Sequence, residues 1–437
     1  MHVTVDIDGL APGGEGVATA EGRTLFVPFT APGDRVEAEV PAGEGPAHAG
    51  LVRLVSPGPA RVEAPCRHFG PPGPGGEGGC GGCEWLHVAY GAQLAAKERG
   101  FWARLQRLGG LEPGRFEARP ILPSPEPLRY RSRAKFHFDR RAGRLVFFRR
   151  RSHEPVLLSG CQLLEPELDG LREAVGPALQ AARLEPREVA LEWSAHESRG
   201  AAWLQLPAVT PAVRGRAAEL LAALPALSGL VLSAEGAPPA AVGQPVLRHH
   251  RVPGEPAAGL QRSRPDVFRQ ANRGANALLV RVALDLLAPD GLELLELFCG
   301  AGNFTGPLAR RAAGVAAVEG QGPALELARA DLSGAEGGST VRFFAGDALK
   351  LALALAREGR RFDAVLLDPP RDGARGIGPA LRELRAPRAV YVSCDPATLA
   401  RDLRACAAAG YRVAAVQPVD MFPQTHHVEG VALLVRG

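Results

Sequence analysis

From residue 265 onward, short apolar runs alternate with stretches that carry helical periodicity. The runs fall at 294–299, 315–319, 341–345, 363–367, 389–393, 412–416 and 431–435. Strand and helix in alternation predict a mostly parallel sheet. The last two runs are joined by a loop rather than a helix, which predicts an antiparallel pair. Residues 1–56 show a different pattern, with five short strands at 3–7, 16–19, 24–29, 35–40 and 50–55. Gly/Pro turns separate them. This spacing suits a small closed barrel of the oligonucleotide-binding type, and it also suits other small β domains. Between the two regions, residues 86–108 read as a helix with Leu94, Phe101, Leu105 and Leu108 on its apolar side. Residues 129–138 alternate like a strand, placing Arg129, Arg131, Arg133 and Lys135 on one face. Leu145–Phe148 and Arg149, Arg150 and Arg151 complete a basic hairpin. Residues 163–262 continue as mixed α and β, with no chemistry read in them.

The 437 residues therefore divide into three expected domains: a barrel at 1–58, a central α+β domain at 59–262 and an α/β domain at 263–437. Composition changes this picture little. Apolar content is 46% and charged content 22%, as in ordinary soluble proteins. The start MHVTVDIDG has no charged or apolar leader, and no apolar run is long enough for a membrane span. A cytoplasmic monomer without a membrane partner is expected. The net charge of +4 is weak support for a nucleic-acid partner. Nearly all of the basic residues are arginine, with lysine only at 97, 135 and 350. Arginine suits phosphate forks and base stacking. Arg131, Arg133, Arg149, Arg150 and Arg151, with aromatic neighbours, form the expected RNA-binding surface.

Seven cysteines without an export signal point to metal or catalysis rather than disulfides. Cys80-Gly-Gly-Cys83 can turn both sulfurs toward one metal group. Cys66 lies across the irregular segment PPGPGGEGG, and Cys161 is the candidate fourth ligand. Four thiolates hold either zinc or an iron–sulfur cluster. The spacing leaves both open, although one close pair with two distant single cysteines is unlike the usual two-pair zinc site.

The remaining chemistry gathers at strand ends in the last domain. The run at 389–393 ends in Cys394, and Asp395-Pro396 stops the strand and opens a helix. A cysteine there stands at the sheet's carboxyl edge, where open α/β sheets bind ligands. The dipole of the following helix is expected to lower its pKa and favour the thiolate. A small core-filling residue is the plain alternative. Gly300 and Gly302 of C-G-A-G-N-F allow close approach of a ligand, but the third glycine of the dinucleotide fingerprint is replaced by Thr305. Glu319 ends the next strand, where an acid can hold ribose hydroxyls, and Asp347 ends the third, where it can accept from an adenine amino group. This set favours S-adenosylmethionine over a dinucleotide. Asp368-Pro369-Pro370-Arg371 ends the fourth strand and presents the aspartate and carbonyls to a planar base. Glu429, just before the final strand, is a candidate general base. His426 and His427 are read as structural or RNA-facing, since no further ligand cluster lies nearby.

Together, E-L-F-C-G-A-G-N-F, L-D-P-P-R, V-S-C-D-P and H-H-V-E-G closely resemble the RNA uracil-5-methyltransferases. The amino-terminal barrel resembles a TRAM domain. With Cys66, Cys80, Cys83 and Cys161 it narrows the likeness to the iron–sulfur branch acting on 23S ribosomal RNA. The resemblance implies a Rossmann-like S-adenosylmethionine-dependent methyltransferase domain and a 4Fe-4S cluster on the four cysteines. It also implies Cys394 as nucleophile, Glu429 as base and Asp368 as an active-site acid. Gln270, Phe298, Gly300, Gly302, Asn303, Glu319, Asp347 and Asp368 fall at cofactor and active-site positions. The loop from Cys66 to Cys80 is longer than is usual, and Asp347 stands where an amide also occurs.

Other readings are a base N-methyltransferase, which needs an aromatic after the prolines where Arg371 stands, and the same chemistry on transfer RNA. From another class comes a nonenzymatic RNA-binding protein with a vestigial methyltransferase fold, against which the pair Cys394 and Glu429 argues.

Overall fold

The computed structural model describes residues 1–73, 78–112, 114–332 and 340–437. Residues 74–77, inside the Pro/Gly segment read as irregular, lie outside the described residues.

At the amino terminus, strands His2–Asp6, Arg35–Glu39 and Gly50–Ser56 form one sheet. Gly9–Leu10, Gly16–Ala20, Arg23–Val27 and Ala47–His48 form a second. Val5, Ala18, Leu25, Val36 and Ala38 alternate inward and share one core. The five expected strands are present, within a few residues of their expected bounds, and two short ones join them.

The central domain is built on a seven-stranded sheet in the order Pro155–Val156, Arg144–Phe148, Arg133–Asp139, Glu188–Ser194, Arg199–Gln205, Leu227–Ser233, Ala240–Gly243. Helices Pro166–Ala181 and Pro211–Ala223 pack Leu168, Leu171, Ala217 and Leu220 against it.

The last domain is organised by an eight-stranded sheet. Thr340–Ala345, Gly314–Glu319, Glu293–Leu297, Ala364–Leu367 and Arg388–Ser393 run parallel, in that spatial order. Glu429–Arg436 then inserts antiparallel between Arg388–Ser393 and Tyr411–Val419, so the closing pair is antiparallel as expected. The inner strands Glu293–Leu297, Ala364–Leu367 and Arg388–Ser393 are buried on both faces, which explains their unbroken apolar runs. From Glu293–Leu297 the sheet grows in both directions, so its carboxyl edge there is a topological switch point.

One departure from the expected domain order matters for the site. Helix Tyr90–Gly109 buries Phe101 and Leu105 in the core of the last domain, beside Leu399 and Leu403. Glu117–Ala118 adds the eighth strand of that sheet. Part of the segment assigned to the central domain is thus built into the sheet of the last domain.

Candidate active site

Each candidate residue sits at the end of a strand or in the loop that follows. Cys394 follows Ser393, the last residue of its strand. Asp395 ends the extended run because its carboxylate accepts from the N–H groups of Ala397 and Thr398, both at 2.9 Å, with Pro396 at the first helical position. Across the sheet, Ser393 pairs with Gly430. Continuing that antiparallel register brings Cys394 and Glu429 opposite one another. A Cβ at position 430 would lie 2.7 Å from the Phe101 ring, so only glycine lets the two strands meet there. Asp368 follows Leu367, whose neighbours are Leu297 and Tyr391. Cys394, Asp368 and Glu429 therefore stand together.

Their electrostatics follow from burial. Asp368 is pushed up to about 7 by desolvation. Glu429 is pushed up to about 8 by desolvation and then by Asp368, against the pull of Arg371. Cys394 is pushed up to about 12, first by burial and then by the charges of Glu429 and Asp368. This corrects the expectation of a depressed thiol. The helix that begins at Pro396 does favour the thiolate, but removal from water and two adjacent carboxyls outweigh it. Arg371 is the nearby cation, and its Nη2 lies 3.0 Å from His427 Nδ1. Burial, His426 and Arg371 hold His427 down at about 4, as a neutral ring.

The glycine turn follows Glu293–Leu297, the strand beside Ala364–Leu367. Phe298, Gly300 and Gly302 all have left-handed φ, of 62°, 55° and 83°. Phe298 keeps that conformation without being glycine, the kind of strain that clusters at ligand sites. The Gly300 N–H donates to Glu319 Oε2 at 2.8 Å and the Gln321 N–H to Oε1 at 2.7 Å. Glu319 thereby holds the turn and keeps other lone pairs for a ligand. Asp347 caps the helix Ala348–Arg357 through Lys350 N–H at 2.9 Å. Asn303 exchanges two hydrogen bonds with Asn276, at 2.9 and 3.0 Å. Gln270 is half-buried on the segment that leads into Asn272, which caps the next helix.

Several contributors went unread in the sequence. Arg251 donates to the Gly302 carbonyl at 2.9 Å and Gln261 to that of Ala301 at 3.2 Å. Both come from the stretch in which no chemistry was read. They are single polar residues without a motif, and only the fold brings them to the turn. Phe268 is 68% exposed two residues before Gln270, and its exposure could not be told from sequence.

The basic hairpin needs correction. Arg133 is held by the carbonyls of Val267 and Pro265, the latter at 2.7 Å. Arg131 lies against the rings of Tyr130 and Phe422. Neither side chain forms an open basic stripe, because packing between domains folds both inward. Arg149 pairs with Glu154 at 2.9 Å, and Arg150 and Arg151 reach Glu15 of the barrel at 3.5 and 3.2 Å. Of these three, Arg151 is the most exposed.

Cys66, Cys80, Cys83 and Cys161 line a single cavity with Arg131, Phe69 and Phe147. Burial and the neighbouring cysteines raise Cys80 to about 11 and push Cys83 well above its ordinary value. Among the described residues, no three His, Cys, Asp or Glu side chains are close enough to share one metal ion.

Residues 258–437 match the tRNA (Uracil-5-)-methyltransferase family, and residues 2–43 match the TRAM domain. The chain is 38% identical to the 23S rRNA (uracil(1939)-C(5))-methyltransferase RlmD of Pseudomonas aeruginosa (strain UCBPP-PA14), across 99% of this chain and 93% of that one. This chain belongs to the RNA uracil-5-methyltransferase family. The corresponding enzyme of Alkalilimnicola ehrlichii is 36% identical, over 99% and 96% of the two chains. The fold is also that of the Pyrococcus abyssi tRNA (uracil-54, C5)-methyltransferase in complex with S-adenosyl-L-homocysteine. That likeness has a TM-score of 0.74 and 23% identity over 99% of both chains. Among the described residues, no helix is long and apolar enough to cross a membrane.

Proposed function

We propose that this protein methylates carbon 5 of a uridine in 23S ribosomal RNA, working in the cytoplasm as a monomer. The carrying observation is the meeting of Cys394, Asp368 and Glu429 at the sheet edge beside the glycine turn. Near-full-length identity to 23S rRNA enzymes favours ribosomal over transfer RNA as substrate. Glu319, Asp347, Gln270 and the turn 298–303 fit S-adenosylmethionine, which supplies the methyl group.

Carbon 5 of uracil is a poor nucleophile. Attack by Cys394 sulfur on carbon 6 turns the ring into an enolate whose carbon 5 can accept a methyl group. A thiol held near 12 needs a proton acceptor as it attacks, and Asp368 has the right neighbourhood and pKa. Glu429 removes the carbon 5 proton, and elimination releases Cys394. Its pKa of about 8 suits a base that must take up and return a proton near neutrality. To reach these groups the uridine must leave its stack, at a cost of a few kcal/mol. The exposed ring of Phe268, two residues before Gln270, is the stacking partner proposed for it.

Cys66, Cys80, Cys83 and Cys161 line one cavity, and a 4Fe-4S cluster is the group we propose they would hold, by resemblance to the iron–sulfur branch of the family. The cluster would order the segments around Cys66, Cys80, Cys83 and Cys161 and would take no chemical part in the transfer.

The test is mass spectrometry of ribosomal RNA from cells lacking the protein. One 5-methyluridine in 23S RNA should disappear and return with the intact gene. An unchanged 23S RNA alongside a lost transfer-RNA methyl group would reassign the substrate.

A further inference from the structure

The loop from Asp420 to Val428 carries the chain into Glu429, and it is held from outside. Lys97 and Asp420 form a fully buried ion pair at 2.6 Å, and Lys97 also donates to the Phe422 carbonyl at 2.9 Å. Tyr90 donates to the same carboxylate at 2.9 Å. These contacts fix the start of the loop. Its middle is fixed by Gln424, a buried residue with φ of 68°. A non-glycine residue keeps that conformation only where its surroundings over-determine it.

Gln424 is over-determined from two directions. Its N–H donates to Gln93 Oε1 at 3.0 Å, and its Oε1 accepts from Gln93 Nε2 at 2.9 Å. Its Nε2 donates to the Pro127 carbonyl at 3.2 Å. Its own carbonyl accepts two N–H groups, from Glu84 at 3.0 Å and Trp85 at 3.1 Å. Glu84 and Trp85 directly follow Cys83, whose thiol lines the four-cysteine cavity. A change in where Cys83 is held is therefore delivered to Gln424 through two backbone hydrogen bonds. From Gln424 only four residues lead to Glu429.

We propose that Gln424 is a positioning residue through which the cysteine loop sets the place of Glu429. With the thiols anchored, Glu84 and Trp85 clamp Gln424 and hold Glu429 opposite Cys394. When the anchoring is lost, the loop relaxes and proton removal from carbon 5 slows, while attack by Cys394 continues. The inference rests on the reaction proposed above.

The test compares Gln424→Ala and Cys83→Ser with the full-length wild-type protein. Substrate RNA and S-adenosylmethionine are added, and the covalent complex is followed on a denaturing gel. Amide hydrogen exchange of residues 420–429 and the Kd for S-adenosylmethionine are measured on the same samples. Both variants should accumulate the RNA adduct by roughly tenfold or more, a fraction of the effect of removing a base outright. Both should exchange faster across 420–429 and keep their cofactor affinity. Gln93→Glu, which keeps an acceptor for the Gln424 N–H, should fall between them and wild type. Turnover that falls only with the folded fraction, with no adduct build-up, would overturn the proposal. So would unchanged loop exchange in Cys83→Ser. RNA carrying 5-fluorouridine, which has no carbon 5 proton to remove, separates the two levels. If the wild-type protein forms no covalent complex with it, the underlying reaction is wrong, whatever Gln424 does.

Discussion

Three buried carboxyls, Glu296, Asp368 and Glu429, are held well above the ordinary range, at about 8, 7 and 8. For each, desolvation is the first cause. The folded protein keeps protons that the unfolded chain has already lost. Stability should therefore fall as pH rises from the ordinary Glu value of 4.5 toward about 8. Glu429→Gln cannot ionise, so it escapes its share of that loss. Its Tm should match wild type near pH ~5 and exceed it by a few degrees near pH ~8.5. Calorimetry at the two pH values checks this, and a variant equally less stable at both would show that Glu429 is ionised in the fold. At this scale the sequence was legible where a residue's role follows from its place in the chain. The common position of Cys394, Asp368 and Glu429 at the sheet edge could be anticipated because each stands at a strand end. The direction of the Cys394 shift could not, because it depends on which carboxyls the fold brings alongside.

At the scale of elements, sequence periodicity located the strands well and the buried faces less well. Helix Tyr90–Gly109 was read from Leu94, Phe101, Leu105 and Leu108. Its buried residues include Gln93 and Lys97, while Leu108 is exposed. The buried polar pair serves the loop around Gln424 and Asp420, a partner more than 300 residues away that no local pattern announces. The same applies to the basic hairpin. Alternation placed Arg131, Arg133 and Lys135 on one face of a strand, and on that face Lys135 is exposed while Arg131 packs on Phe422 and Arg133 on the carbonyls of residues 265 and 267. The RNA contribution of the hairpin should accordingly be uneven. Arg151→Ala should lower the slope of log affinity against log salt by about 0.7, one phosphate contact to single-stranded RNA. Arg133→Ala should weaken the fold and leave the slope unchanged, since its guanidinium is already taken by backbone carbonyls. Filter binding across a salt series distinguishes them, and an equal loss of slope would put Arg133 back on the RNA.

At the scale of the whole molecule, three units converge on one loop. The barrel reaches it through Trp85 Nε1, which donates to the Gly14 carbonyl at 2.8 Å. The cysteine loop reaches it through Glu84 and Trp85, and the catalytic sheet through Glu429. The separate strand sets of residues 1–56 and of the last domain were legible, because the strand spacing changes sharply between them. The incorporation of Tyr90–Gly109 and Glu117–Ala118 into the last domain was not, since a two-residue edge strand leaves no periodicity. Purified without oxygen, the protein should be brown and carry about four irons per chain. Stoichiometric zinc without visible absorbance would contradict the cluster. The central claim, a transient bond between Cys394 and uracil resolved by Glu429, is tested most directly on a denaturing gel with labelled substrate RNA and S-adenosylmethionine. Loss of a general base costs roughly 10²–10⁴ in rate, so the Glu429→Gln protein should show a band shifted by the mass of the RNA. That band should be absent when Cys394→Ala is added. A shifted band that persists in the double variant would show that Cys394 is not the nucleophile.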